Sequence, residues 1–202
     1  MITFSRVLFL LTIACMLSSC TPLAMRIKYN GRSFNKARTD KTLEKFLARN
    51  GYDHDFSFRF REDSLLALMQ RPHKPGWKTD FRMMSVLCFD NRDSLIMNWT
   101  ICEGFLDELC LLDTFPPRYN GPFFPTTLSM ELDNYLDHGE AINRDRLPSF
   151  DVCFVVYWAR FMGNLNRKSI KEVVEYRKRY PEKKILLMLV AIDRDRSWKN
   201  RF

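Results

Sequence analysis

A nearly continuous apolar run occupies residues 151–158, Asp151-Val152-Cys153-Phe154-Val155-Val156-Tyr157-Trp158, and a second run occupies residues 185–192. The intervening residues 166–180 show helical periodicity, and Pro181 ends that pattern. The apolar residues that recur on one side of this helix are Ile170, Val173 and Val174. Because both strands are apolar throughout, the pattern predicts two parallel strands joined by a right-handed crossover and covered on both faces.

Upstream of this unit, residues 39–113 favour a β-rich region. Residues 40–50 predict a helix, with Asp40 as its N-cap and Gly51 as its C-terminal stop. The segment Phe56-Ser57-Phe58-Arg59-Phe60 alternates strictly between apolar and polar residues. That period of two predicts a strand buried on one face.

Two further segments complete the N-terminal half. Residues 65–69 fit either a second strand or a short helix, and the pattern leaves both open. Residues 83–89 and 94–102 are strand-like and flank the turn formers Asp90-Asn91-Arg92-Asp93, which predicts a hairpin. The fold class is therefore α+β, with antiparallel hairpins in the N-terminal half and a C-terminal βαβ unit.

Residues 114–127 form a proline-rich and aromatic loop, because their prolines exclude a regular element. Its aromatic side chains either cover the core from outside or contact a partner, and Phe123 and Phe124 are the candidates for the second role. Residues 128–137 predict a helix. We interpret Asp133 and Asp137 beside His138, and the segment Asp53-His54-Asp55, as solvated charge rather than as metal or catalytic sites.

The segment Val155-Val156-Tyr157-Trp158-Ala159-Arg160-Phe161-Met162-Gly163-Asn164-Leu165 resembles the active-site segment of thioredoxin-like disulfide oxidoreductases. In that family a buried strand ends in Phe-Trp-Ala and is followed by Trp-Cys-Gly-Pro-Cys at the start of a helix. The helix end Tyr180-Pro181, the second apolar run and Ile192-Asp193-Arg194-Asp195 are similar to the elements that follow. The resemblance implies a thioredoxin-like fold for residues 128–202, which could be incomplete.

The two cysteine positions of the family are occupied here by Met162 and Leu165. Thiol–disulfide exchange needs a thiolate and a second resolving thiol, which a thioether and an isobutyl group cannot supply. The family's later hairpin, cis-proline loop and last helix have no counterpart before the chain ends at Phe202. Either the copy is truncated, or the hairpin predicted over residues 83–102 supplies the missing strands from the N-terminal side.

The first twenty residues have the layout of a secretory signal: Arg6, an apolar run from Val7 to Leu17, and then small residues. The run is too short to cross a bilayer. Its end, Leu17-Ser18-Ser19-Cys20, resembles the lipobox of bacterial lipoproteins, in which the cysteine is lipidated and becomes the first residue of the mature chain. The resemblance implies a signal peptide over residues 1–19, a lipidated tether over 20–38, and anchoring of the protein in a bilayer through Cys20.

Composition limits the functional classes. The chain carries a formal charge of +8, and removal of Arg6 with the signal leaves about +7, so anionic surfaces are the expected electrostatic partners. Nucleic acid is not expected, because no nucleic-acid motif is present. Four cysteines remain in the mature chain, in apolar contexts that favour buried thiols but permit a disulfide, and they are Cys88, Cys102, Cys110 and Cys153.

These observations predict a lipoprotein of the bacterial envelope, located at the outer membrane and facing the periplasm, with a redox-inactive thioredoxin-like module. Its expected role is to bind or scaffold an envelope protein, and Phe161 joins Phe123 and Phe124 as a candidate contact. No catalytic residue, cofactor or metal is predicted. The alternatives are a thiol-dependent envelope enzyme and a truncated remnant of a thiol-disulfide oxidoreductase.

Overall fold

A computed structural model describes residues 38–69, 85–100, 112–117 and 126–193. The described residues contain four α-helices: α1 (Asp40–Asn50), α2 (Glu62–Met69), α3 (Leu128–Leu132) and α4 (Asn164–Arg179). They also contain seven strands: β1 (Phe56–Phe60), β2 (Ser85–Asp90), β3 (Leu95–Thr100), β4 (Tyr135–Asp137), β5 (Glu140–Ala141), β6 (Val152–Trp158) and β7 (Ile185–Ala191). Single 3-10 turns form at Arg144–Arg146 and Arg160–Met162.

All seven strands belong to one mixed sheet with the order β3-β2-β6-β7-β1-β4-β5. The centre is parallel: β6 pairs with β7, aligning Val155 with Met188, and β7 pairs with β1. Antiparallel pairs flank this centre, with β2 and β3 next to β6 and with β4 and β5 next to β1. The α+β class and the parallel pairing of the two apolar runs are confirmed.

The predicted hairpin lies beside the parallel pair. Asp90 begins its turn, where its Oδ1 accepts hydrogen bonds at 2.9 Å from both the Arg92 and Ser94 amides. Strand β2 pairs with β6 in antiparallel fashion, aligning Leu87 with Val155. The hairpin therefore adjoins β6, which is what the hypothesis of strands supplied from the N-terminal side requires.

Helices α1 and α4 cover one face of the sheet, which we call the α1/α4 face. Every second residue of β6 points to this face, where Phe154 and Trp158 are fully buried. Their partners are Leu43 and Leu47 of α1 together with Ile170, Val173 and Tyr176 of α4. Removing these side chains from water is the main force that holds the two helices on the sheet, at about 25 cal/mol per Å² of buried apolar area.

Helices α2 and α3 cover the opposite face, which we call the α2/α3 face. Cys153, Val155 and Tyr157 of β6 point to it, as do Phe58 and Phe60 of β1. They pack against apolar side chains from the covering segments, which are Leu65, Leu128, Leu132, Ile142, Leu147 and Phe150. Both faces are thus covered, which explains why β6 and β7 are apolar in every position rather than alternating.

The boundaries of α1 and α2 follow from their terminal residues. Gly51 adopts the left-handed conformation (φ 60°, ψ 35°), and its N–H donates to the Ala48 carbonyl at 3.2 Å, so it ends α1 as predicted. The cap prediction for Asp40 was wrong. Thr39 is the flanking residue, and the Asp40 carboxylate pairs with Arg59 at 2.7 Å instead. Residues 62–69 form α2, so the helical alternative for 65–69 is confirmed.

The predicted helix over residues 128–137 was wrong in its second half. Helix α3 ends at Leu132, where the Asn134 amide group donates to the Met130 carbonyl at 3.0 Å. Tyr135 then enters β4 and pairs with Phe60 of β1. The edge of the sheet provides backbone partners for these residues, and this non-local pairing overrides the local helical spacing.

None of the helices in the described ranges combines the length and hydropathy that a bilayer crossing requires.

Candidate functional site

The segment that resembles a redox active site lies where β6 ends and α4 begins. The chain passes from Trp158 through the 3-10 turn at 160–162 to Gly163, and α4 starts at Asn164. Met162 is only 5% exposed and packs into the α2/α3 face. Leu165 is the second residue of α4, and Phe161 is the middle residue of the turn. A buried thioether in this position cannot exchange disulfides.

Asn166 fixes the first turn of α4 to the end of β6. Its side-chain oxygen accepts a hydrogen bond from the Ala159 N–H at 3.2 Å, and its amide group donates to the Ala159 carbonyl at 2.5 Å. Asn166 is 1% exposed, so these bonds satisfy polar groups that water cannot reach. Gly163 adopts φ 57° and ψ −128°, a conformation that essentially only glycine reaches, which makes the sharp entry into α4 feasible.

Asp193 holds the same turn from the end of β7. Its Oδ2 accepts a hydrogen bond from the Arg160 N–H at 2.6 Å, and Asp193 is 3% exposed. Burial raises the pKa of this carboxyl to about 6, although the Arg160 N–H bond and the charges of Arg38, Arg59 and Arg160 act in the opposite direction. Desolvation therefore outweighs the attraction of three guanidinium groups.

A cleft of about 380 Å³ opens between α1 and this turn. Its lining residues are Thr42, Lys45, Phe46, Arg49, Asn50, Tyr52, Arg160, Gly163 and Asn164. Three of them carry positive charge and none is an aspartate or a glutamate, so we call it the basic cleft. The Phe46 ring forms part of its wall and stacks on Trp158, with ring centroids 5.5 Å apart and planes 6° apart. The Arg160 guanidinium lies 5.6 Å from the centroid of the same ring.

The basic cleft lies at the carboxyl end of β6, next to the point where the sheet changes from parallel to antiparallel pairing. In open α/β sheets, ligands bind in the crevice outside the carboxyl ends of the parallel strands. The position and the lining of the cleft make it the best candidate site in the described part of the chain.

Cys88 and Cys153 are unbonded thiols on opposite faces of the sheet. Both are fully buried, and desolvation raises the pKa of each thiol well above its usual range. The reactive form of cysteine is the thiolate, so burial disfavours a nucleophilic role for these two residues. Cys102 and Cys110 lie outside the described residues.

The acidic segments singled out in the sequence have structural partners. Asp53 and Asp55 both accept hydrogen bonds from Arg177, and His54 Nδ1 lies 2.7 Å from the Tyr52 carbonyl. His138 Nε2 is 3.7 Å from Glu44 and 3.8 Å from Asp137 in an exposed turn. The described ranges contain no group of three or more histidine, cysteine, aspartate or glutamate side chains that could hold a metal ion.

The sequence analysis missed a hydrogen-bonded network inside the α2/α3 face. Glu131 Oε2 accepts from the hydroxyl groups of Tyr157 at 2.7 Å and Tyr135 at 3.0 Å, and the two hydroxyl oxygens are 2.9 Å apart. Thr126 donates to the other oxygen of Glu131 at 2.9 Å. Burial is the largest cause that raises the pKa of both tyrosines well above the usual range. Tyr157 lies in an otherwise apolar run, and a buried hydroxyl group needs a hydrogen-bond partner. This tyrosine was therefore the feature of the sequence that could have indicated the network.

One aromatic residue of the proline-rich loop, Phe115, lies within the described residues. Phe123, Phe124 and Cys20 lie outside the described residues. Phe115, from the same proline-rich loop, lies against Tyr176 and Tyr180 with ring centroids 6.4 and 5.4 Å apart. This aromatic side chain therefore covers the α1/α4 face from outside.

The chain matches no protein-family model, no curated protein and no solved structure.

Proposed function

We propose that this chain is a lipid-anchored protein of the bacterial cell envelope whose folded body is a redox-inactive, thioredoxin-like binding module. The observation that carries the binding role is the turn between β6 and α4. There, Met162 is buried, and the resemblance of residues 155–165 aligns it with a position where the thioredoxin-like family holds a reactive thiol. The turn lies at the end of a parallel strand, but Met162 cannot carry out thiol–disulfide exchange.

Two features of the sheet support the thioredoxin-like assignment. Strands β6 and β7 are parallel and are connected through α4, as the family's strand, helix and strand are. The hairpin of β2 and β3 lies antiparallel beside β6, where it can stand in for the family's later hairpin. We base the thioredoxin-like assignment on this arrangement together with the resemblance of residues 155–165.

The module's binding surface is proposed to be the basic cleft together with the adjacent turn at 160–165. The hydrogen bonds of Asn166 and Asp193 fix this turn at both ends, so the surface is rigid before any partner arrives. Rigid surfaces lose less conformational entropy on binding. The alternative of a thiol-dependent enzyme has no support from Cys88 and Cys153, because both thiols are buried.

The anchor is tested by replacing Cys20 with serine in the full-length chain and separating membrane from soluble fractions. We expect Cys20→Ser to move the protein out of the membrane fraction, because the acyl chains that hold it there are attached at this sulfur. Cys15→Ser is the matched control: it makes the same change five residues earlier, within the apolar run, and should leave the distribution unchanged. Retention of Cys20→Ser in the membrane would refute the lipoprotein assignment.

A further inference from the structure

The basic cleft has the charge and the shape of a site for a phosphorylated ligand. We propose that it binds the phosphate group of a small phosphorylated molecule or of a phospholipid headgroup. The inference deepens the proposed binding role and rests on it only in placing the binding surface at the end of β6. It does not depend on lipidation of Cys20.

The first support is a concentration of positive charge that includes two cationic side chains of α1. Lys45 and Arg49 are four residues apart on α1, so they project from the same face of the helix. Both are exposed, and neither is paired with a carboxylate among the residues that the structure describes. Arg160 contributes a third positive charge from the opposite wall. Like charges at this helical spacing repel each other, and a bound anion would relieve the repulsion.

The second support is the start of α4, which lines the same cleft through Gly163 and Asn164. This helix has sixteen residues, no side-chain cap at its N-terminus and no acidic residue in its first turn. The free N–H groups and the helix dipole favour an anion at this end. Phosphate oxygens can accept hydrogen bonds from these backbone groups while they contact the cationic side chains.

The third support is the size and the aromatic part of the cleft. A volume of about 380 Å³ is in the range of small-molecule sites, so the cleft holds more than an isolated phosphate ion. Phe46 and Tyr52 line it beside the charges, and the stacking on Trp158 fixes the Phe46 ring. The organic part of the ligand would lie against these rings, which favours an organic phosphate over inorganic phosphate.

The test is a calorimetric titration of the full chain in a neutral detergent. The probes are inorganic phosphate, glycerol 3-phosphate, short-chain phosphatidylglycerol and, as an uncharged comparison, glycerol. We expect saturable binding of at least one organic phosphate, weaker binding of inorganic phosphate and none of glycerol. Binding of glycerol 3-phosphate alone identifies a free small molecule as the ligand, and binding of phosphatidylglycerol alone identifies a headgroup.

Charge variants show whether the binding occurs in the cleft. Lys45→Gln and Arg49→Gln should each weaken the affinity about tenfold, which corresponds to losing one charge-assisted contact of about 1.4 kcal/mol. Lys178→Gln is the matched control, because it removes one exposed positive charge near the far end of the sixteen-residue helix α4. It should change the affinity by less than about twofold, as expected for a charge outside the site. Circular dichroism confirms that each variant is folded.

The inference is overturned if no organic phosphate binds, or if Lys178→Gln weakens binding as much as Lys45→Gln does. In either case the Cys20→Ser fractionation is unaffected, because it measures attachment and not ligand binding. Conversely, failure of the fractionation test leaves the titration interpretable. The two proposals can therefore fail separately.

Discussion

The two faces of the sheet differ in where their polar groups lie. On the α1/α4 face the centre is apolar, and the exposed charges of Lys45 and Arg49 line the basic cleft at the end of β6. On the α2/α3 face the half-buried carboxylate of Glu131 accepts hydrogen bonds from the buried residues Tyr135 and Tyr157. The first arrangement leaves positive charge without a carboxylate partner in an open cleft, whereas the second pairs its carboxylate with two tyrosine hydroxyl groups.

This difference separates binding from stability. Polar groups at the open end of the strands can meet a ligand without disturbing the core. The network on the α2/α3 face already satisfies its own donors and acceptors, so a ligand would have to break bonds there. The comparison predicts that substitutions in the apolar centre cost the most stability, that Asp193 makes stability depend on pH, and that the interior network shows non-additive costs.

The largest effect is expected for Trp158→Ala at the centre of the α1/α4 face. Trp158 is fully buried and stacks on Phe46, so truncation leaves a large cavity between β6 and α1. We expect a loss of about 3–5 kcal/mol in the free energy of unfolding, measured by urea denaturation. Met130→Ala is the control, because Met130 is 53% exposed and should cost less than about 0.5 kcal/mol.

Trp158→Phe refines the same prediction. The indole N–H of Trp158 is buried and has no hydrogen-bond partner in the described part of the chain. Replacing the indole with a phenyl ring keeps most of the stacking and removes this unsatisfied donor. The phenylalanine variant should therefore lose clearly less than the alanine variant, and equal losses would show that aromatic packing does not stabilise this face.

The next effect is a pH dependence that originates at Asp193. Its folded-state pKa of about 6 lies above the ordinary value of 3.8, so the folded protein binds this proton more tightly than the unfolded chain does. The contribution of this group to stability is therefore largest below pH 4 and is lost as the pH rises through 6. The shift corresponds to about 3 kcal/mol across that window.

Asp193→Asn removes the titrating group while keeping an oxygen that can accept from the Arg160 N–H. We expect the stability of the variant relative to the wild type to increase as the pH is raised from 4 to 7, measured by urea denaturation at each pH. If the difference between the two proteins does not change with pH, the burial of Asp193 does not govern its titration. The substitution does not touch the network of Glu131, Tyr135 and Tyr157, so wild type and variant have the same network on the α2/α3 face.

The interior network predicts a smaller cost that is not additive. Three oxygen pairs, all shorter than 3.1 Å, share only the two hydroxyl protons of Tyr135 and Tyr157 when the carboxylate of Glu131 acts as an acceptor. After Tyr157→Phe, the remaining tyrosine proton can serve the carboxylate alone. Tyr135→Phe and Tyr157→Phe should each lose about 1–3 kcal/mol, because each removes a hydrogen bond to a charged group, the half-buried Glu131 carboxylate.

The double variant, Tyr135→Phe with Tyr157→Phe, tests this network most directly. With both hydroxyl groups gone, Glu131 Oε2 loses both tyrosine donors, so the second removal should cost more than the first. A double-mutant cycle in urea denaturation measures this excess. If the losses in the free energy of unfolding are purely additive, the hydroxyl groups do not share their protons. The α2/α3 face would then behave like the apolar centre of the α1/α4 face.

The sequence predicted the parts of both faces that depend on local pattern. The continuous apolar runs predicted β6 and β7, and strict alternation predicted β1. It failed at Tyr135, because the apolar residues from Leu128 onwards fit a helical period and a strand pairing with β1 leaves no local trace. The predicted helix placed Tyr135 on an apolar stripe, so its hydroxyl group was not considered as a partner for Glu131.

The basic cleft was unpredictable for the same physical reason. Lys45 and Arg49 lie in the helix predicted over residues 40–50, and Arg160 lies in the segment that resembles a redox site, about 110 residues further along the chain. Only the packing of α1 over the end of β6 brings them to one opening. Contacts between segments that are distant in the chain are set by the whole fold and are not encoded in the spacing of neighbouring residues.

The smallest expected effect is at Gly51, where α1 leaves the α1/α4 face. Its φ of +60° is unfavourable for other residues, but an added Cβ would meet nothing within 4 Å. Gly51→Ala should therefore cost only the conformational energy, about 1 kcal/mol in urea denaturation, and Gly51→Asn should cost less because asparagine tolerates this conformation. Because packing holds α1 on the sheet, neither variant should alter phosphate binding in the basic cleft. A loss of several kcal/mol would mean instead that the end of α1 contributes more to the stability of the α1/α4 face than the burial of Trp158 does.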